Sequence, residues 1–463
     1  MTLLQAYAVL VYIQLVCASL PSLNDTSIIH TLDTSDSPCS NSTRTLWNIL
    51  LSCGLTLFAC TWTAIHTNIP GMEESRVAIT SRRVFLMVAA LIAPELMITW
   101  ATRQFFSARA TAKKFNNEFG AQRAQTHSGD RDISEGTATL FSDIRESSST
   151  PRPAEEFKEW TMTHGFFAWM GGFMLYVDGK PRVTLTPHEL LEFVGDGYVD
   201  MPLISEAEIN DRSKGDGLSK AIALLQLAWF VVQLVARYGQ NLPITLLEID
   251  TLAVAALTCV AYGLWWKKPK DVGCPYIIHW KARISPSDLT YDEADVGFFQ
   301  AGWARSSIYI VYPFGSLIGV NVSMFDPAPR SHQVVSLGGY GKYHDMIVLL
   351  IGCFSGMVFG GIHCLGWNYL FQRHAEHILW RTASLGIVCA PVPLFLAIRY
   401  AMWMGNMGDF GMASEILVLL ISPFIYIVAR ITLIVLMMLS LRSLPLGVYD
   451  TVAWTTFIPH FNM

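Results

Sequence analysis

Long unbroken apolar stretches, separated by short turns and two extended polar segments, organise this chain. Residues 218–238 and 242–266 are each long enough to cross a hydrocarbon core about 30 Å thick at about 1.5 Å per helical residue. The segment between them, 239–243, is too short and too polar for anything but the bend of a transmembrane helical hairpin. Apolar runs at 46–66, 347–367, 379–400 and 412–439 predict four further spans. Two runs are less regular. Residues 84–106 carry Pro94 and Glu95 at their centre, where a carboxyl beside a helix breaker requires a cavity or a re-entrant segment. Residues 297–320 are interrupted by Arg305 and Pro313.

This pattern predicts an all-α, polytopic helical membrane protein with six to eight membrane segments and two long polar loops. Residues 1–19 read as a signal peptide ending in small residues. Residues 20–45 read as a glycosylated lumenal segment with sequons at Asn24 and Asn41, and 46–106 hold the first membrane segments. Residues 107–217 form a polar loop. Within it 107–159 read as a solvated, disordered linker, 164–176 as an apolar stretch too short to span, and 202–209 as a helix capped by Ser205 with Glu208. The hairpin occupies 218–269, a second loop 270–346 with a candidate extra span at 297–320, three transmembrane helices 347–439, and a tail 440–463.

Basic residues choose among topologies, because cytoplasmic flanks carry the excess of Lys and Arg. If 84–106 enters and leaves on one side, Arg109, Lys113, Lys114, Lys267, Lys268 and Lys270 all become cytoplasmic. If 297–320 also crosses, the sequon at Asn321 becomes lumenal and Arg373, Arg381 and Arg442 become cytoplasmic. The expected count is then seven crossings, with the C-terminus inside.

Composition agrees with a bilayer as the solvent. The 463 residues are 52% hydrophobic and 15% charged, with a mean hydropathy of +0.37. A net charge of -5 and a pI near 6.2 offer no basic face for a phosphate backbone, which excludes nucleic acid as the partner. The nine cysteines show no disulfide framework and no metal-ligand spacing, and His374 and His377 lack further ligands near them. No phosphate-binding loop, dinucleotide fingerprint, nucleophile elbow, zinc-protease motif or kinase signature occurs, so no cofactor is implied and soluble enzyme classes are excluded.

The candidate chemistry is a set of polar residues inside apolar runs. Glu95, Glu248 and Asp250 would each cost about 3 kcal/mol facing lipid at a span centre, so they must face protein or water. Arg237 and Arg430 are the candidate counter-charges. Gln226 and Gln233 share a helical stripe with Trp229 and Arg237, and His363 is a candidate proton relay or ion ligand near the end of its span. Together Glu95, Gln233, Arg237, Glu248, Asp250, His363 and Arg430 outline a polar intramembrane path; the bland alternative is one buried ion pair that orients the bundle. Gly352, Gly356 and Gly360, four apart, predict a close packing seam, within the chain or between subunits of a homo-oligomer. Pro391, Pro393 and Pro423 break the last two spans and free backbone carbonyls.

Several stretches carry a resemblance when taken together. They are Leu46-Trp47-Asn48-Ile49, Cys60-Thr61-Trp62, Asn68-Ile69-Pro70, Ala93-Pro94-Glu95, His164-Gly165-Phe166-Phe167, Met170-Gly171-Gly172-Phe173, Ser213-Lys214-Gly215-Asp216, Trp265-Trp266 and the tail around Trp454 and His460. They resemble a group of multi-pass membrane proteins of filamentous fungi over nearly the whole chain. The resemblance implies a source and a fold and supplies no site residues. The polar path favours a channel- or transporter-like protein that handles a small molecule or ion in a bilayer of the secretory pathway or plasma membrane, with its N-terminus lumenal or extracellular. Two competing expectations are a membrane-embedded enzyme or accessory protein of fungal secondary metabolism, and a receptor-like sensor with 107–159 as its regulatory arm.

Overall fold

The structure is a computed structural model that describes residues 43–72, 74–134, 159–213, 216–282, 338–341, 343–404 and 412–453. Residues 1–19, the sequons at Asn24, Asn41 and Asn321, segment 297–320 and the tail from 454 onward lie outside the described residues.

Among the described residues each long apolar run is helical, the form in which a segment satisfies its own backbone without help from water. In chain order the described elements begin with α1 (Leu46–Phe58, continued by a π turn to Thr63), α2 (Arg76–Ile92) and α3 (Pro94–Ser134). A small mixed unit follows: α4 (Met162–Trp169), β1 (Phe173–Val177), β2 (Lys180–Thr184), α5 (Pro187–Gly195) and α6 (Glu206–Asp211). The hairpin is α7 (Asp216–Gly239) and α8 (Leu246–Leu264), and β3 (Tyr276–His279) returns to the mixed unit. The last helices are α9 (Asp345–His363), α10 (His374–Cys389), α11 (Pro391–Met404) and α12 (Met412–Ser440). Among the described residues six segments are long and apolar enough to cross a bilayer, with α10 and α11 together making one of them. Their outer faces expose Leu225, Val235, Phe354, Phe424 and Ile431, a surface that lipid chains tolerate and water does not. Most of the α8 span is buried, and α8 touches α1, α3, α9 and α12.

The run 84–106 is a broken helix pair. α2 and α3 meet at Ala93 with a bend of 114°, because Pro94 has no N–H to continue the ladder of α2. The far ends of the pair return to one end of the bundle: Arg83 in α2 binds the Trp62 carbonyl and Asp271, while Gln104 in α3 meets Lys268. α3 then continues to Ser134, correcting the expected loop from residue 107. Ala108, Thr111, Ala112 and Phe115 follow helical spacing and are buried, and Phe115 stacks on Trp160 at 3.8 Å between ring centres.

The all-α expectation is corrected at the same end of the bundle, where a three-stranded sheet runs in the order β2-β1-β3. β1 pairs antiparallel with β2 and parallel with β3. The apolar stretch 164–176 is α4 and β1, and its Phe166, Phe167, Phe173 and Leu175 are buried. α6 begins as expected, with Ser205 Oγ accepting from the Glu208 amide at 3.2 Å and Glu208 Oε2 accepting from the Ser205 amide at 2.6 Å.

The two ends of the described chain meet at the opposite end of the bundle. Thr43 and Asp450 form an antiparallel bridge, and the Arg44 amide donates to the Tyr449 carbonyl at 2.7 Å. Arg44 therefore stands at the same end of the bundle as Asp450 and the tail that follows α12.

Candidate functional site

The expected path of seven polar residues divides into separate centres. The first gathers Glu95, Asp250, His363 and Arg430 at the tip of the α2–α3 pair. Asp250 lies five residues into α8 and Arg430 lies inside α12, and both are buried. Arg430 Nη1 donates to Asp250 Oδ1 at 2.5 Å, and His363 Nε2 lies 3.0 Å from the same oxygen. The remaining donors of Arg430 are used by the broken helix. Nη2 donates to the Leu91 carbonyl at 2.8 Å and Nε to the Ile92 carbonyl at 3.1 Å. These carbonyls end α2 and have no partner within it, and a cation at a helix C-terminus also meets the negative end of its dipole.

The hydrogen bonds of His363 constrain its proton count. Nδ1 lies 2.8 Å from the Phe359 carbonyl, which only accepts, so Nδ1 carries a proton. Nε2 faces Asp250 Oδ1 at 3.0 Å and stands 3.4 Å from Arg430 Nη1, so an imidazole, a carboxyl and a guanidinium meet around one buried oxygen. Glu95 and Tyr426 stand beside this group and interact with each other and with Arg430. Glu95 Oε2 and the Tyr426 hydroxyl are shielded from solvent and make no hydrogen bond that meets normal geometry among the described residues.

Glu248 and Arg237 belong to a second centre, at the end of α8 where the two ends of the described chain meet. Thr245 and Glu248 form a capping box in which Glu248 Oε2 accepts from the Thr245 amide at 2.8 Å. Arg44, which the sequence reading did not consider, is its counter-charge at 2.7 Å. Arg237 pairs with neither acid: it donates to the carbonyls of Pro243, Val448 and Asp450 and ties the hairpin turn to the tail. Gln233 lies apart on α7 and half-buried, while Gln226 is buried and donates to Thr56 Oγ1 at 3.1 Å. Trp229 is exposed, so the expected polar stripe of α7 is not one surface.

A third centre went unseen in the sequence. Lys268, expected in a solvated cytoplasmic flank, is buried, as is Lys270, whereas Lys267 is largely exposed. Lys268 Nζ lies within hydrogen-bonding distance of three oxygens: the His66 carbonyl at 2.5 Å, Gln104 Oε1 at 2.9 Å and Asn68 Oδ1 at 3.2 Å. It also faces the rings of Trp100 and Trp265 at 4.9 and 5.3 Å. Trp100 Nε1 and Gln104 Nε2 both donate to the Gly338 carbonyl, which draws the entry of α9 into the same cluster. Burial pushes the Lys268 amine well below the ordinary lysine range and the His66 imidazole below the ordinary histidine range. The first and third centres are about 20 Å apart along α8 at 1.5 Å per residue. Between them α8 buries apolar Ala253, Val254, Leu257 and Ala261 together with polar Thr251, Thr258 and Tyr262.

The glycine stripe is filled by the chain itself. A Cβ on Gly352 would stand 2.5 Å from Thr99 Oγ1, one on Gly356 3.1 Å from Pro391 Cγ, and one on Gly360 2.7 Å from the Val388 amide nitrogen. α9 thereby packs close against α3 and against the α10–α11 junction, bringing His363 within reach of Asp250. Pro391 begins α11 at that junction, whereas α12 continues through Pro423.

No curated protein and no solved structure matches the chain. A family model matches residues 20–285 and 330–461, and the chain belongs to that family, DUF8562, a family of unknown function.

Proposed function

We propose that the chain is a multi-pass membrane protein with six crossings and one re-entrant helix pair, and that it moves protons or a proton-coupled small ion in the manner of a transporter. One observation carries this reading. A broken helix delivers two freed carbonyls and the Glu95 carboxyl to a buried Asp250–His363–Arg430 cluster in which an acid, an imidazole and a guanidinium meet around one oxygen. Discontinuous helices that bring carbonyl ends and ionisable groups together inside a bundle are the usual way membrane transporters build an ion site.

The six-crossing arrangement is supported by the meeting of Thr43 with Asp450 and by the meeting of the α8 exit with the α9 entry around Gln104 and Gly338. The end carrying the mixed unit holds Arg76, Arg82, Arg83, Arg103, Arg109, Lys113, Lys114, Lys220 and Lys267, which favours the cytoplasmic side for it. The N-terminal segment with Asn24 and Asn41 is then lumenal or extracellular, as in a protein of the secretory pathway or plasma membrane.

Reconstitution into proteoliposomes containing a pH-sensitive dye tests the reading. Proton flux is expected from the native chain, with loss in Asp250→Asn and in Glu95→Gln while Glu376→Gln stays active. Absence of flux from the native chain, or full flux in both core variants, would overturn it.

A further inference from the structure

At the end of the bundle where the chain termini meet, a cavity of about 230 Å³ opens between the α9–α10 connection and the C-terminus of α12. Two guanidiniums line it, those of Arg373 and Arg442. Both residues are exposed, and among the described residues neither side chain has a hydrogen bond or ion pair, unlike the guanidiniums of Arg44, Arg83, Arg103, Arg237 and Arg430. Ser443 and Gln372 add neutral polar groups to the wall, and Glu376 is its one acid, leaving an excess of positive charge. Arg373 is also the N-cap of α10 and makes no side-chain cap, so the positive end of that helix is directed toward the same space.

We propose that this cavity binds a phosphate-bearing anion, taken either from a phospholipid headgroup or as free phosphate. Two arginines lining one cavity can each offer paired N–H donors that match phosphoryl oxygens, and a helix N-terminus without a side-chain cap favours the same charge. The lip is apolar: Leu370 is exposed, and Leu439 leads onto the exposed Met438, Val435 and Ile431 of α12. A lipid seated by its headgroup here would lay an acyl chain along that face. This site is separate from the proton-handling centre, and it stands or falls without it.

The test uses the full chain purified in neutral detergent, with native mass spectrometry of added phosphatidic acid or phosphatidylcholine and thermal unfolding in millimolar inorganic phosphate. Native protein is expected to retain phosphatidic acid at least about tenfold over phosphatidylcholine, and Arg373→Gln/Arg442→Gln to lose that preference with an unchanged melting temperature in the absence of ligand. Retention of phosphatidic acid without a response to phosphate identifies the headgroup as the source. Stabilisation by phosphate in the native protein alone identifies the free anion. Equal behaviour of native and double-variant protein in both arms would overturn the proposal.

Discussion

Arg430 caps the broken end of α2, its Nη2 donating to the Leu91 carbonyl at 2.8 Å while its Nη1 holds Asp250 at 2.5 Å. One guanidinium thus satisfies the backbone of the broken helix pair and the buried acid of the central helix. Loss of Arg430 strands both. Arg430→Met is expected to destabilise the protein by about 3–5 kcal/mol, the usual cost of removing one partner of a buried pair. Arg430→Lys should recover little, because one ammonium cannot span two carbonyls and a carboxylate in the guanidinium's planar geometry. Thermal unfolding in detergent measures both.

Lys268 gives a pH dependence of definite sign. Its folded-state pKa lies well below the ordinary 10.5, so between those two values the unfolded chain binds the extra proton. Stability therefore rises with pH in that window, by up to about 1.4 kcal/mol per pH unit. Measurement above pH 7 keeps the depressed His66 titration out of range. In Lys268→Met this rise should vanish. At the top of that window the variant should be less stable than the native chain by about 1–3 kcal/mol, as oxygens of His66, Asn68 and Gln104 lose a donor, and the difference should shrink as pH falls.

Gly360 and Gly361 make an internal comparison. A Cβ on Gly360 meets the backbone of Val388, whereas one on Gly361 meets nothing within 4 Å. Gly360→Ala should destabilise by about 1–3 kcal/mol through forced separation of α9 and α10. Gly361→Ala should be neutral or stabilising by up to about 1 kcal/mol, from helix propensity. Equal effects on melting temperature would show that α9 and α10 do not pack this closely.

Glycosylation mapping separates the six-crossing arrangement from the seven-crossing one. Asn24 and Asn41 should each yield a glycosidase-sensitive mobility shift that disappears on substitution to Gln. Asn321 should not, because the α8 exit and the α9 entry meet at one end of the bundle. A shift that depends on Asn321 would restore an additional pair of crossings between them.

The long helices were legible because a span-length apolar run has few alternatives to a helix. The sheet was not. β1 is a five-residue strand with four buried positions, which reads as a featureless apolar run, and its parallel partner β3 lies about a hundred residues on, beyond the whole hairpin. The pairing of Asp250 with Arg430 was within reach of charge-counting along the spans. Glu248 was misplaced by reading it inside an apolar run, although Thr245 and Glu248 carry the capping-box spacing that marks a helix start. Lys268 was hidden by its neighbours: three lysines after two tryptophans look like a solvated flank, and nothing local shows that Asn68 and Gln104 come from elsewhere to enclose one of them.

The re-entrant path of α2 and α3 underlies the proposed chemistry, and labelling from each side of the membrane tests it most directly. Val77, at the start of α2, and Lys114, beyond the Gln104 contact in α3, are both exposed and are suitable for replacement by cysteine. Reaction with a membrane-impermeant maleimide, read against the unsubstituted chain, should occur at both positions from the same side. Labelling of Val77→Cys from one side and Lys114→Cys only from the other would make the pair a single bent crossing and contradict the site built at its tip.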